Sequence, residues 1–199
     1  MATTAEKVRE LRDKTGAGVM DCKEALAASG EDLDKAVEFL RKKGLAAASQ
    51  RAHREARDGV VSAYIHAGSK LGVLVEVNSE TDFVARTEQF QELAKSLAMQ
   101  VAATNPRWVS RDQVPADVLD REREIYRQQM ADQKKPPQVL DRIIEGKLAK
   151  FYEESCLVDQ AFIRDASGKM RVGDLVAQVS AQTGEKIAVR RFVRFQVGE

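Results

Sequence analysis

The chain predicts an α+β fold: an N-terminal three-helix bundle, then a small antiparallel sheet packed with helices, from which a helical hairpin projects. Three observations predict it. Residues 1–45 hold three short stretches of helical period separated by glycine-containing breaks. Val60 to Val77 alternates around a turn before Phe90 to Val101 switches to helical period. Two further helical stretches, broken by prolines, occupy about 115–155. Periodicity of 3.6 or 2 is the main sequence signal for helix or strand. We divide the chain into a bundle at 1–45, a basic helical linker at 46–58, and a core at 59–199 with the hairpin as an insertion.

Each element has a local reason. Thr3 and Glu6 have capping-box spacing and place a helix start near Ala5, with Val8 and Leu11 as its apolar stripe. Thr15-Gly16-Ala17-Gly18 ends it. A second helix runs from about Val19 to Ala28, with Val19, Cys22 and Leu26 on one face, and stops at Ser29-Gly30. A third begins near Asp32; Leu33, Ala36, Val37 and Leu40 form its stripe, and Gly44 is the expected stop. So small a bundle buries little surface by itself. From Arg41 to Arg57 there are six Lys or Arg residues and one acid, Glu55. That run reads as a solvated basic helical face, or as a contact for an acidic partner or RNA phosphate.

In the core, Gly68-Ser69 has glycine first, as a two-residue type II′ hairpin turn requires. On the returning strand Leu71, Val73, Val75 and Val77 share a face. The following helix carries Phe90, Leu93, Ala94, Leu97, Ala98 and Val101 as one broad stripe and ends at Asn105-Pro106. In the hairpin, the first stripe is sparse (Val118, Leu119, Ile125, Tyr126, Met130). Lys134-Lys135-Pro136-Pro137 breaks it, with proline suited to open the next helix. Val139, Leu140, Ile143, Ile144, Leu148 and Phe151 give the second stripe. Leu157 to Arg164 is expected to be extended, Ser167-Gly168 a turn, and Val172 to Val179 a helix closed by Gly184. The last strand, Ile187 to Val197, is expected to place Ile187, Val189, Val193 and Phe195 on one face. Its Arg190, Arg191 and Arg194 read as protection of a sheet edge, or as a binding surface.

Composition limits the function. A chain of 199 residues, 43% hydrophobic and 32% charged, is a globular protein with one fair-sized core and a small satellite. Its net charge of +1 provides no bulk attraction to nucleic acid or membrane. No apolar run approaches the ~20 residues of a membrane span. Cys22 and Cys156 belong to no pair motif, which fits a reducing, cytoplasmic setting, and no apolar signal core is expected at the N-terminus. A catalytic or metal constellation is not apparent. His53 and His66 lack ligands at metal spacing. Gly16-Ala17-Gly18 follows a helix and is too short for a dinucleotide fingerprint. Cys22 with His53 is a weak pairing for a nucleophile. The expectation is a protein without catalytic residues, cofactor or metal, which acts by binding.

The stretch of greatest interest is Asn78-Ser79-Glu80-Thr81-Asp82-Phe83-Val84-Ala85-Arg86, where strand gives way to helix. Junction loops on a rigid scaffold often carry function. Read locally, Phe83 is a core plug and Asp82 a helix cap.

Three blocks, taken together and in order, resemble the elongation factor Ts family, bacterial guanine-nucleotide exchange factors for elongation factor Tu. They are Leu11 to Leu26 (LRDKTGAGVMDCKEAL), Glu76 to Ala85 (EVNSETDFVA) and Gly184 to Phe192 (GEKIAVRRF). The resemblance implies an N-terminal ubiquitin-associated-like bundle and an α+β core of dimerisation type. It implies that Thr81, Asp82, Phe83 and Val84 displace Mg²⁺ from elongation factor Tu, with Phe83 an exposed wedge. It also implies that Leu11, Arg12 and Met20 touch the partner's nucleotide-binding domain. The chain is shorter than the family's long form, in which core units repeat, so a homodimer that completes the core is a further expectation. No membrane contact or direct nucleic-acid contact is expected. Two other classes remain open from the residues alone. The bundle fits a ubiquitin-associated-type adaptor, and the basic run fits an RNA-binding protein, although no aromatics interleave with its arginines.

Overall fold

A computed structural model describes residues 4–130 and 136–199. In chain order the elements are α1 (Thr4–Thr15), α2 (Val19–Ala28), α3 (Leu33–Arg51), β1 (Asp58–Ile65), β2 (Leu71–Ser79), α4 (Asp82–Ala85), α5 (Glu88–Thr104), α6 (Ala116–Gln129), α7 (Pro137–Ser155), α8 (Val172–Thr183) and β3 (Ala188–Gln196). The fold is α+β, as predicted. The Thr3 cap and the Lys134-Lys135 part of the hairpin break lie outside the described residues. Among those described, no helix is long and apolar enough to cross a membrane.

The core is the valine face of β2 against α5. Val73, Val75 and Val77 alternate inward, as strand pleating requires, and are buried. Phe90, Leu93, Ala94, Leu97, Ala98 and Val101 cover them, joined by Val172, Val179 and Ile187 from the α8–β3 unit. Thr87 caps α5 through its Oγ1, which accepts from the Phe90 N–H at 3.3 Å. Asn105, left-handed at φ 45°, ends that helix before Pro106.

The sheet has order β1-β2-β3, both pairs antiparallel. Gly59 stands opposite Asn78, where a Cβ would lie 2.1 Å from the Val77 carbonyl oxygen, so only glycine permits β1 to approach β2 there. The hairpin turn is not the two-residue type II′ form. Ile65 pairs with Gly72, the His66 N–H donates to the Leu71 carbonyl, and both Gly68 and Ser69 have positive φ. A type II′ turn tolerates positive φ only at its first central residue.

The expected face of the last strand is overturned by a β-bulge. Glu76 pairs with Arg191 but Val77 with Val189, so Arg190 is the extra residue. One added residue moves everything after it to the opposite face. Phe192, opposite Val75, therefore turns inward, while Val193 and Phe195 share the helix-free face, Phe195 being 70% exposed. With Val61, Ile65 and Leu74 they make an apolar outer face. The arginines are engaged: Arg190 and Arg191 both pair with Glu76, at 3.5 and 2.7 Å, and Arg194 pairs with Glu199 at 2.9 Å.

Two more expectations fail for tertiary reasons. Leu157 to Arg164 is a 3-10 turn at Leu157–Asp159 followed by a short bridge of Ala161 to Arg171. Gln100, buried in α5, dictates this path by donating to the Ala161 carbonyl at 3.1 Å and accepting from the Ile163 N–H at 2.9 Å. Asp165 then folds the next loop around itself. Its carboxylate accepts from the Met170, Ser167 and Lys169 N–H groups and the Ser167 hydroxyl, which together pull its pKa down to about 2. The second failure is Gly44, which does not stop the third helix. α3 runs through it to Arg51, across the expected boundary at 45/46. Gly44 is buried where α3 crosses α8, near Ala177 and Ala181. It allows close helix approach. The Gln178 and Gln182 side chains donate to the Thr15 carbonyl beside that crossing.

The helical hairpin has cores of its own. Val114, Phe151 and Cys156 pack at its base, and Met130, Ile144 and Leu148 further out. Pro137 opens α7 as expected.

The Gly44 crossing makes a prediction. An added Cβ would meet the Ala181 Cβ at 3.7 Å, an ordinary contact. Gly44→Ala should therefore hold stability or raise it by up to about 1 kcal/mol through helix propensity. Gly44→Leu should lower it by about 1–3 kcal/mol by forcing α3 from α8. Denaturant melts followed by circular dichroism compare the two; equal melting of both variants would contradict this role.

Candidate functional site

The site is the turn between β2 and α5. Ser79 ends β2 fully buried, and its hydroxyl donates to the Thr81 carbonyl at 2.9 Å. Thr81, not Asp82, is the N-cap of α4; its Oγ1 accepts from the Val84 N–H at 3.5 Å, the outer limit of a hydrogen bond. Asp82 occupies the first helical position and pairs with Arg86 at 2.8 Å, a solvent-exposed (i, i+4) contact of small energetic weight. The far end of α4 is closed by Gln91, which donates to the Ala85 carbonyl at 2.7 Å, and by the Thr87 hydroxyl, which donates to the Val84 carbonyl at 2.7 Å.

One helical turn sorts these side chains by direction. At about 100° per residue, neighbours on a helix point to different sides. Ala85 is buried and Val84 packs on the main core. Phe83 is thereby directed to solvent and is 82% exposed, so the core-plug reading is wrong. An aromatic ring held outward on a hydrogen-bonded turn, left largely uncovered among the described residues, is the kind of anchor that protein interfaces use.

A second loop holds this turn, and sequence reasoning missed it. Gly184 ends α8 in the left-handed conformation, φ 74°, and turns the chain so that Glu185 meets the β2–α4 junction. Glu185 Oε2 accepts from the N–H groups of Glu80 and Thr81, both at 3.0 Å, and its Oε1 accepts from the Thr81 hydroxyl at 2.6 Å. In return, Glu80 Oε1 accepts from the Lys186 N–H at 2.5 Å and pairs with Arg54 at 3.2 Å. The Lys186 N–H first, and Arg54 after it, hold the Glu80 carboxyl below its usual range. The stabilisation tied to that shift is full above the ordinary glutamate value, about 4.3, and fades as pH falls through the lower folded value. Lys186 Nζ donates to the carbonyls of Ala52 and Arg54, both at 2.7 Å, which links the end of α3 to the same cluster. The only available sequence signal was that Gly184 to Phe192 stood among the three blocks of resemblance.

The N-terminal residues divide. Met20 is 74% exposed at the start of α2, beside exposed Val19, and Arg12 is exposed on α1. Leu11, expected with them, is sealed at 0% exposure among Val8, Cys22, Ala25, Leu26 and Ala36. It supports the patch from inside and offers no surface itself. Arg12 also lines a cavity of about 440 Å³ between bundle and core, with Lys43, Arg51 and Gln182.

Both cysteines are buried. Burial raises both thiols, that of Cys156 to about 11, so neither is a ready thiolate at neutral pH. His66 Nδ1 lies 2.9 Å from the Tyr64 hydroxyl. Among the described residues no group of three or more His, Cys, Asp or Glu side chains is arranged to hold a metal.

Comparison with known proteins gives a consistent result. The model of the family Elongation factor TS matches residues 6–199. Over 199 residues the chain is 54% identical to elongation factor Ts of Thermodesulfovibrio yellowstonii, spanning 100% of this chain and 98% of that protein. It is 52% identical over 199 residues to that of Fervidobacterium nodosum, with 100% of both covered. It is 57% identical over 195 residues to that of Anaeromyxobacter sp. strain Fw109-5, spanning 98% of this chain and 88% of that relative.

The contrast between two phenylalanines is testable. Phe83→Ala should leave the thermal midpoint unchanged, because its ring is already in water. Phe90→Ala should cost about 3–5 kcal/mol. A large destabilisation by Phe83→Ala in calorimetry would mean that the ring is covered in solution.

Proposed function

Because the chain belongs to the elongation factor Ts family and so serves translation elongation, we propose that it is a guanine-nucleotide exchange factor. It binds elongation factor Tu and promotes GDP release by disturbing the Mg²⁺ and phosphate site. The observation that carries this reading is Phe83, exposed on a turn anchored at both ends. The protein supplies no catalytic residue; it works by binding, in the cytoplasm where translation occurs.

The physics is a coupling between two ligands of one partner. GDP is held largely through phosphates whose charge Mg²⁺ neutralises, and Mg²⁺ requires near-ideal octahedral geometry. An aromatic wedge that shifts partner helices by roughly an ångström degrades that geometry. Linkage then makes the effect reciprocal: a factor that loosens GDP is itself loosened by GDP. A ~10⁴-fold preference for the nucleotide-free partner corresponds to ~5.5 kcal/mol. Burying one Phe contributes ~1.5–3 kcal/mol, so Phe83 needs help. Thr81, Asp82 and Val84 form the rest of the wedge turn, and the exposed Arg12 and Met20 supply a second contact on the nucleotide-binding domain, with Leu11 behind them. The net charge of +1 gives no reason to add nucleic acid as a direct partner.

A homodimer is the second part of the proposal. The outer sheet face, with Ile65, Leu74 and Phe195 exposed, is the half of a sandwich that lacks its cover. A second copy presents the identical face, which a two-fold axis makes self-complementary. Light scattering at micromolar concentration should give a dimer mass that Phe195→Glu converts to a monomer; a monomeric parent chain refutes the pairing.

Stopped-flow release of fluorescent GDP from elongation factor Tu tests the exchange activity. The protein should accelerate release, and Phe83→Ala should reduce that acceleration about 10- to 150-fold at unchanged fold. No acceleration by the parent protein refutes the function; full acceleration by a folded Phe83→Ala variant refutes the wedge.

A further inference from the structure

We propose that Glu185 is the positioning residue of the Phe83 wedge, a role that rests on the exchange reading above. α4 has four residues, and a helix that short has no stability of its own in water. Its internal cap is weak, at 3.5 Å. What orients the turn at its upstream end is the Glu185 carboxylate, which takes three donors from Glu80 and Thr81 at 2.6–3.0 Å.

Charge and length both matter here. A carboxylate has two oxygens, each able to accept more than once, and bonds to a charged acceptor are stronger than neutral ones. Glutamine offers one oxygen and turns an NH₂ group towards donors, so it satisfies only part of the set. Aspartate is one methylene short of the same reach. Glu185 is itself fixed from behind: α8 ends at left-handed Gly184, and the Ser180 hydroxyl donates to the Glu185 carbonyl at 2.5 Å. The wedge is therefore referenced to α8 and β3, the part of the core farthest from it in sequence. The return bond from the Lys186 N–H to Glu80, with Lys186 Nζ on the Ala52 and Arg54 carbonyls, ties the same point to the end of α3. When the wedge pushes on a partner, this clasp bears the reaction force, and without it the turn yields instead of the partner.

The test is a double-mutant cycle on GDP release from elongation factor Tu. Glu185→Gln should lower the maximal exchange rate roughly 10- to 100-fold, as misplacement of a working group does, while changing the half-saturating concentration much less. In a Phe83→Ala background the same substitution should have no further effect, because it acts only through the ring. Amide hydrogen exchange gives an independent readout. Glu185→Gln should speed exchange at Glu80 and Thr81 and leave the β2 and α5 amides protected. Equal losses from Glu185→Gln with and without Phe83 overturn the proposal, as does unchanged exchange in Glu185→Gln when Phe83→Ala is defective; that result leaves the wedge intact. If Phe83→Ala is fully active, the wedge reading fails instead. Should Glu185→Gln loosen the whole core, β2 and α5 amides included, Glu185 is a general stabiliser and the proposal is wrong.

Discussion

The contact on which everything else is placed is the β2 valine face against α5. Val73, Val75 and Val77 meet Phe90, Leu97 and Val101 with essentially no exposure. Each such side chain contributes about 1.5–3 kcal/mol on burial. The connection between these two elements must cross from strand to helix within the residues between Ser79 and Glu88. With both ends pinned by packing, the turn between them has little freedom. Phe83 stands outward because Val84 and Ala85, one and two residues on, are already committed inward.

That arrangement explains how a small chain presents a stiff aromatic. Three structural parts converge on the turn: β2 from one side, α5 through Gln91 and Thr87 from another, and the α8–β3 loop through Glu185 from the third. A turn ordered on folding has less left to order on contact with a partner, and preorganisation of this sort raises affinity without adding contacts. The N-terminal bundle is joined to the same frame along α3, whose Gly44 crosses α8 and just past whose end the Ala52 and Arg54 carbonyls accept from Lys186 Nζ. Two exposed apolar residues, Met20 and Phe83, thus lie on parts of the chain that α3 joins by direct contacts.

Elements with a strong local rule were legible. α5 was readable from its stripe, Asn105 from the proline after it, and Gly184 from the end of the preceding helical period. Where reading failed, a distant residue had decided the outcome. Gly44 looks like a helix stop, and does not act as one because α3 continues through it while packing on α8, where there is room for a small side chain but not a large one. Arg190 looks like an ordinary strand residue, and becomes a bulge because β2 accepts it between Glu76 and Val77. Leu11 is buried as its place in the apolar stripe of α1 requires, and not at the surface where the resemblance put it. Glu185 carried no signal beyond its place in the third block of resemblance.

The linear chain by itself determined the α+β class, the order of helices and strands, the inward valines of β2, and the block that contains Phe83. Each follows from backbone geometry acting over a few residues, and periodicity records that directly. Only the tertiary structure chose between Phe83 as a plug and as an exposed wedge, chose between Leu11 as core stripe and as contact surface, and brought Glu185 back across about a hundred positions to grip Glu80 and Thr81. Those outcomes depend on which surfaces meet, and hydrogen bonds between residues far apart in the chain leave no period for a sequence to show.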